Sequence, residues 1–150
     1  MAHGLPLDSL NRCYDALLAL CDRLELVADS LPDHVRPGDC AFLAHEVVEV
    51  LARTHDEEEQ ALLPLLSASP RPEVRQMAER LRREHRIDSN AVFEVQAALL
   101  ELAAGRPHQE PEALGYLLRA FFETVRRHVR AEQDLLVLLA GQMPPDGSRP

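Results

Sequence analysis

The chain has 150 residues, 46% hydrophobic and 27% charged, with three cysteines; it is long enough for one domain with its own core and excludes a disordered chain or a disulfide-stapled miniprotein. Acidic residues outnumber basic ones 25 to 16, for a net charge of −9, which argues against nucleic acid as a partner. With 6 glycines, 4% aromatics and no Trp, the core must be aliphatic, and the shortage of turn residues and β-branched runs argues against a sandwich or barrel.

Proline and glycine break the chain at Leu31-Pro32 to Pro37-Gly38, at Ser69-Pro70-Arg71-Pro72 and between Gly105 and Pro111. The stretches between predict helices near 8–31, 39–67, 72–104 and 112–140, with Asp8, Asp39 and Pro72 where helix starts want a cap or a first-turn proline. Each carries an apolar stripe at helical spacing. The first reads Leu10, Tyr14, Leu17, Cys21, Leu24, Ala28, Leu31; the second Val48, Ala52, His55, Glu59, Leu62, Leu66. The third reads Ala78, Leu81, His85, Val92, Leu99, Leu102; the fourth Leu114, Leu118, Phe121, Val125, His128, Glu132, Leu135, Leu139. Short links between long amphipathic helices predict an all-α, up-down-up-down antiparallel four-helix bundle over residues 1–140, followed by a flexible tail, 141–150.

The stripes hold residues that do not belong in an aliphatic core. His55, Glu59, His85, His128 and Glu132 stand at inward positions, and carboxylates are rarely buried unless paired or bound to a cation. His-x-x-x-Glu occurs on two of the helices, at 55–59 and 128–132, and this spacing sets both side chains on one face, a turn apart. In an antiparallel register at about 1.5 Å per residue, all five fall in one slab near one end of the bundle. Nitrogen and oxygen donors converging there predict a metal site, of a composition suited to iron or manganese and open to zinc.

The order His-x-x-x-Glu, then Arg83-Glu84-His85, then a second His-x-x-x-Glu resembles the hemerythrin-type (HHE) cation-binding family, and the run from His55 to Leu66, with its Leu-Pro-Leu ending, is similar to that family's acidic segment. The similarity extends from about residue 7 to residue 140. It implies two non-haem irons, with terminal histidines and with Glu59 and Glu132 bridging. It also implies a protein that binds or senses O₂ or NO or handles iron; an enzyme acting on peroxide or NO on the same scaffold and a metal-free interaction module are the competing readings. Such proteins usually add a histidine from the first helix, and none occurs here. Tyr14 falls at that layer, and two roles are open to it: a phenolate ligand, or a packed neighbour that hydrogen-bonds a glutamate.

His45-x-x-x-Glu49 repeats the spacing about 15 Å further along the helix, where no partner group is expected, so His45 reads as a partly exposed structural residue. The arginines at 80–86 and 126–130 read as solvated faces paired with Asp56, Glu57, Glu58 and other acids. Neither an apolar run of membrane-spanning length nor a signal-peptide pattern occurs. Cys13, Cys21 and Cys40 lack the spacing of a thiolate metal site and read as small core residues in a reduced, cytoplasmic setting. All basic residues are Arg, as a GC-rich bacterial genome would favour. The oligomeric state is left open.

Overall fold

In a computed structural model, residues 7–142 are described. They form α1 (Leu7–Ser30), α2 (Pro37–Glu57), a π-helical turn (Glu58–Leu62), α3 (Leu63–Ser67), α4 (Pro72–Ala103) and α5 (Pro111–Gln142). The π turn runs unbroken into both neighbours, so α2, the turn and α3 act as one of four long rods. Of the tail expected from residue 141, residues 143–150 lie outside the described residues.

Packing follows chain order around a square: α1 against α2, α2 and α3 against α4, α4 against α5, and α5 back against α1. The 32-residue α4 is about 48 Å long, whereas the longest link, residues 104–110, reaches at most about 25 Å. Adjacent rods must therefore reverse direction, and the bundle is antiparallel. At the end of α4 the chain turns on Gly105, at φ 73°. Its N–H donates to the Leu102 carbonyl at 3.1 Å and that of Arg106 to the Glu101 carbonyl at 3.0 Å, which satisfies carbonyls the helix leaves over. Asp8 and Asp39 lie within the first turns of their helices and complement the dipole there; they are not caps.

The core is aliphatic, as the composition requires: Leu10, Leu24, Leu43, Val47, Leu62, Leu66, Val95, Leu99, Leu114 and Leu118 are fully enclosed. The stripes of α1, α4 and α5 lie inward over nearly all their length. That of α2 is rotated by one residue. Its inward row is Leu43, Val47, Leu51, Thr54, Glu58, Leu62 and Leu66, while Ala52 and Glu59 are exposed and Val48 and His55 half-buried. The two largest runs of α2 hydrophobics, around Leu43–Ala44 and Val50–Leu51, can pack together only in that phase.

Pro64 explains the π turn. It has no N–H for the carbonyl of Gln60, and in an α-helix its ring would press on that oxygen. Widening the turn relieves the clash, and the Leu63 N–H donates to the Glu58 carbonyl, five residues back. The row Thr54, Glu58, Leu62, Leu66 advances in steps of four and stays on one face.

Across the α1–α5 face, Arg119 pairs with Asp29 at 2.8 Å, and Arg126 with Asp22 at 2.8 Å and Glu25 at 2.7 Å. Of the expected clusters, Arg126 is paired here, with Asp22 and Glu25 and not with Asp56 or Glu57. Glu58, expected among the solvated acids, is buried instead.

The phase of α2 is directly testable. Leu51→Ala should cost about 2–5 kcal/mol of stability by opening a cavity, and Val48→Ala markedly less, as read from urea unfolding midpoints.

Candidate metal centre

Four rods contribute to one polar layer inside this core. α1 supplies Tyr14; α2 with the π turn supplies His55, Glu58 and, at the rim, Glu59. α4 supplies Glu84, His85 and Asp88, and α5 supplies His128 and Glu132. Tyr14, His55, Glu58, Glu84, His85, Asp88, His128 and Glu132 line a common cavity of about 20 Å³, space for one water-sized occupant. The layer lies near the end of the bundle that holds the start of α1, the α3–α4 link and the end of α5.

On one side of the cavity, ligand atoms of His55, Glu58 and His85 all lie within 4.8 Å of one another. Glu58 is the hub. Tyr14 Oη donates to its Oε2 at 2.6 Å, and its Oε1 lies 2.7 Å from His85 Nε2. His85 Nδ1 stands 3.4 Å from Glu59 Oε2. The imidazoles of His55 and His85 stack, with centroids 4.0 Å apart and planes 18° from parallel. Burial, together with the charge of its stacked neighbour, lowers the pKa of His55 to about 4. For His85 burial opposes the charged ring, but the hydrogen bond and charge of Glu58, aided by Glu59, outweigh it and raise the pKa. The opposite shifts keep the two stacked rings from carrying charge together over the pH range between them.

On the other side, Asp88 Oδ2 lies 2.8 Å from His128 Nδ1 and accepts a hydrogen bond from it. This raises the His128 pKa against the pull of burial, and it fixes the ring so that Nε2 faces the layer, 3.9 Å from Glu84 Oε2. Burial raises the pKa of Glu84, and burial with the nearby charges of Glu84 and Glu58 raises that of Glu132 to about 9. Arg80 reaches both from outside, with Nε 3.6 Å from Glu84 Oε2 and Nη2 4.0 Å from Glu132 Oε1.

Of the residues expected at the site, His85, His128, Glu132 and Tyr14 are brought together as anticipated, and His55 joins them from the edge of α2. Glu59 does not converge with them: its side chain is 59% exposed, and the inward carboxylate is Glu58. The i, i+4 spacing from His55 points to Glu59, but His55 lies at the margin of the buried face, and a step of four carries Glu59 off it. The phase of Leu43, Val47 and Leu51 is the signal that finds Glu58. Asp88, one turn after Glu84 on the same face of α4, was also missed; an aspartate in an apolar row between His85 and Val92 was its trace in the sequence. Of the two roles open to Tyr14, the one seen is the hydrogen bond to a glutamate; burial first, then the charge of Glu58, pushes its phenol well above the usual range. His45 is exposed, and the thiols of Cys13, Cys21 and Cys40 are buried and raised in pKa by that burial.

The hemerythrin HHE cation-binding domain matches residues 5–140 of the sequence. The chain belongs to this family. No curated protein and no solved structure matches it. Membership implies a cation-binding helical domain, and two features of the polar layer suit its residues to a cation. Glu84 Oε1 is a buried oxygen without any hydrogen-bond partner, and Glu132 is an almost fully buried carboxylate whose one cationic neighbour within 4.0 Å, among the described residues, is Arg80. Carboxylates in such surroundings need positive charge. The proton between His85 Nε2 and Glu58 sits on groups that can ligate a metal, so cation binding should release it and tighten as pH rises.

Beside the layer, between α2 and α4, a surface groove of about 910 Å³ is lined by Arg53, His55, Asp56, Glu59, His85 and Arg86, among others. No helix among the described residues is long and apolar enough to cross a membrane.

Because the pKa of Glu132 lies higher in the folded than in the unfolded chain, the folded state holds an extra proton from about pH 4.5 up to about 9. Stability of the metal-free protein should therefore fall as pH rises through that window. Glu132→Gln removes this titration: its melting temperature should exceed that of the metal-free wild type at pH 8.5, with the difference closing toward pH 5. A difference that does not vary with pH would contradict the assignment.

Proposed function

We propose that the chain is a non-haem di-iron protein that binds or senses a small diatomic, O₂ or NO. The observation that carries this reading is the pairing, across one small cavity, of His55, Glu58 and His85 on one side with Glu84, His128 and Glu132 on the other. Imidazole nitrogens and carboxylate oxygens in this mixture suit iron, with manganese or zinc as substitutes. Bound iron would supply reversible electron transfer and an open coordination position for a diatomic ligand. The three buried thiols fit a reduced, cytoplasmic location.

In this reading His55 and His85 bind as neutral imidazoles, and Glu58 lies between the two sides. Tyr14 acts as a hydrogen-bond donor that fixes the Glu58 carboxylate. Its phenol holds its proton because ionisation would place a second negative charge against Glu58 in a buried setting. Asp88 orients His128 and holds its Nδ1 proton. The groove between α2 and α4 is the route by which a small solute reaches the His55–His85 side.

The deciding experiment is metal analysis after anaerobic iron loading, with optical spectra before and after O₂ or NO. About two irons per chain and a ligand-dependent spectrum are expected; under half an equivalent, or a spectrum indifferent to both gases, would sink the reading. Glu58→Gln should lower iron content and Glu59→Gln should leave most of it, whereas equal loss would return the ligand role to Glu59. Tyr14→Phe should retain the iron and shift the ferric spectrum only slightly. An intense purple or blue phenolate band in the wild type, lost in that variant, would make Tyr14 a ligand.

A further inference from the structure

We propose that Glu84 is itself a ligand, completing the binding of the second ion beside His128 and Glu132. This rests on the two-ion reading above and goes beyond the two His-x-x-x-Glu pairs. On that side of the cavity α1 offers no donor besides Tyr14, whose phenol is committed to Glu58. His128 and Glu132, with Glu58 reaching from the other side, leave the second ion short of donors unless Glu84 joins them.

Among the described residues only His55, Glu58 and His85 bring ligand atoms mutually within 4.8 Å, so a second ion would draw Glu84, His128 and Glu132 closer together. Three observations point to Glu84. Its Oε1 is the one buried side-chain oxygen or nitrogen, among the described residues, without a hydrogen-bond partner; a carboxylate oxygen left so is costly unless a cation meets it. Its Oε2 lies 3.9 Å from His128 Nε2, and donors bound at about 2.1 Å to one ion stand at most about 4.2 Å apart. It also lines the cavity with Glu132, whose side chain is only 4% exposed and whose carboxylate, among the described residues, lacks any cation nearer than Arg80 at 4.0 Å.

Arg80 spans both carboxylates from outside, and its side chain is 47% exposed. The guanidinium is a tether-borne counter-charge, free to move to solvent when an ion takes over the neutralisation. Asp88 completes the arrangement from behind by keeping His128 Nε2 turned toward Glu84.

The test compares wild type with Glu84→Gln, which keeps shape and removes the charged donor, in anaerobic titrations with Fe(II) and with Co(II), whose visible bands report ligand number. Wild type should bind two ions. Glu84→Gln should keep one at near-native affinity and bind the second at least about tenfold more weakly, with the Co(II) bands of that second equivalent altered. Glu84→Asp should recover part of the lost affinity, and circular dichroism checks that both variants fold. Two ions bound by Glu84→Gln with native affinity and native bands would overturn the proposal while leaving the di-iron reading intact, and loss of both ions together would also overturn it. A wild-type chain that binds fewer than two ions fails the di-iron reading first, and the proposal with it. Should Glu84→Gln not fold, the proposal stands or falls on Arg80→Met. That change should tighten the second ion by removing its competitor, and unchanged or weaker binding would overturn it.

Discussion

A carboxylate at the centre of a helical bundle has to be answered by donors from more than one direction, and Glu58 is that carboxylate here. One oxygen takes the Tyr14 hydroxyl from α1, the other faces His85 on α4. Three of the four rods are thereby joined through a side chain that the core would otherwise reject. The fourth enters through Glu132, whose ionisation is opposed by burial and by the charges of Glu84 and Glu58. Acid groups gathered this closely repel one another, so the layer is held by the cations and protons it attracts more than by its own packing.

The rods make such a layer tolerable because the rest of the interior is closed aliphatic packing. Leu10 and Leu17 flank Tyr14 on α1, Leu81 precedes Glu84 and His85 by about a turn on α4, and Val125 and Val129 bracket His128 on α5. These residues exclude water and lower the local dielectric, which strengthens every charge interaction within. The π turn at Pro64 keeps Leu62 and Leu66 beneath Glu58 in line with it, so the second rod carries its polar group without losing its apolar face.

Much of this is legible in the sequence. The breaks at Pro32–Gly38, Pro70–Pro72 and Gly105–Pro111 place the helix ends within a residue or two, and the stripes of α1, α4 and α5 point the right way because each has a long run of leucine or valine at fixed spacing. The second helix was harder. Its hydrophobics are dense enough to support two phases a residue apart, and the His55–Glu59 spacing favoured the wrong one. A periodicity argument counts residues per turn and is blind to which neighbour a face must meet; α1 and α4 together settle it by claiming Val47, Leu51 and Thr54. Asp88 and the partnership of Tyr14 with Glu58 depend on contacts between rods, which no single-helix pattern encodes.

The groove between α2 and α4 makes the two sides of the polar layer unequal. His55 and His85 border it, whereas Glu84 and Glu132 do not, and Arg80 lies near both of those carboxylates from outside. The two sides therefore meet solvent differently: the imidazole-rich side borders the groove, while a cation approaching Glu84 and Glu132 past Arg80 meets its guanidinium. A cation drawn to this layer would thus meet unequal resistance at its two faces, with an open threshold on one and a charged one on the other.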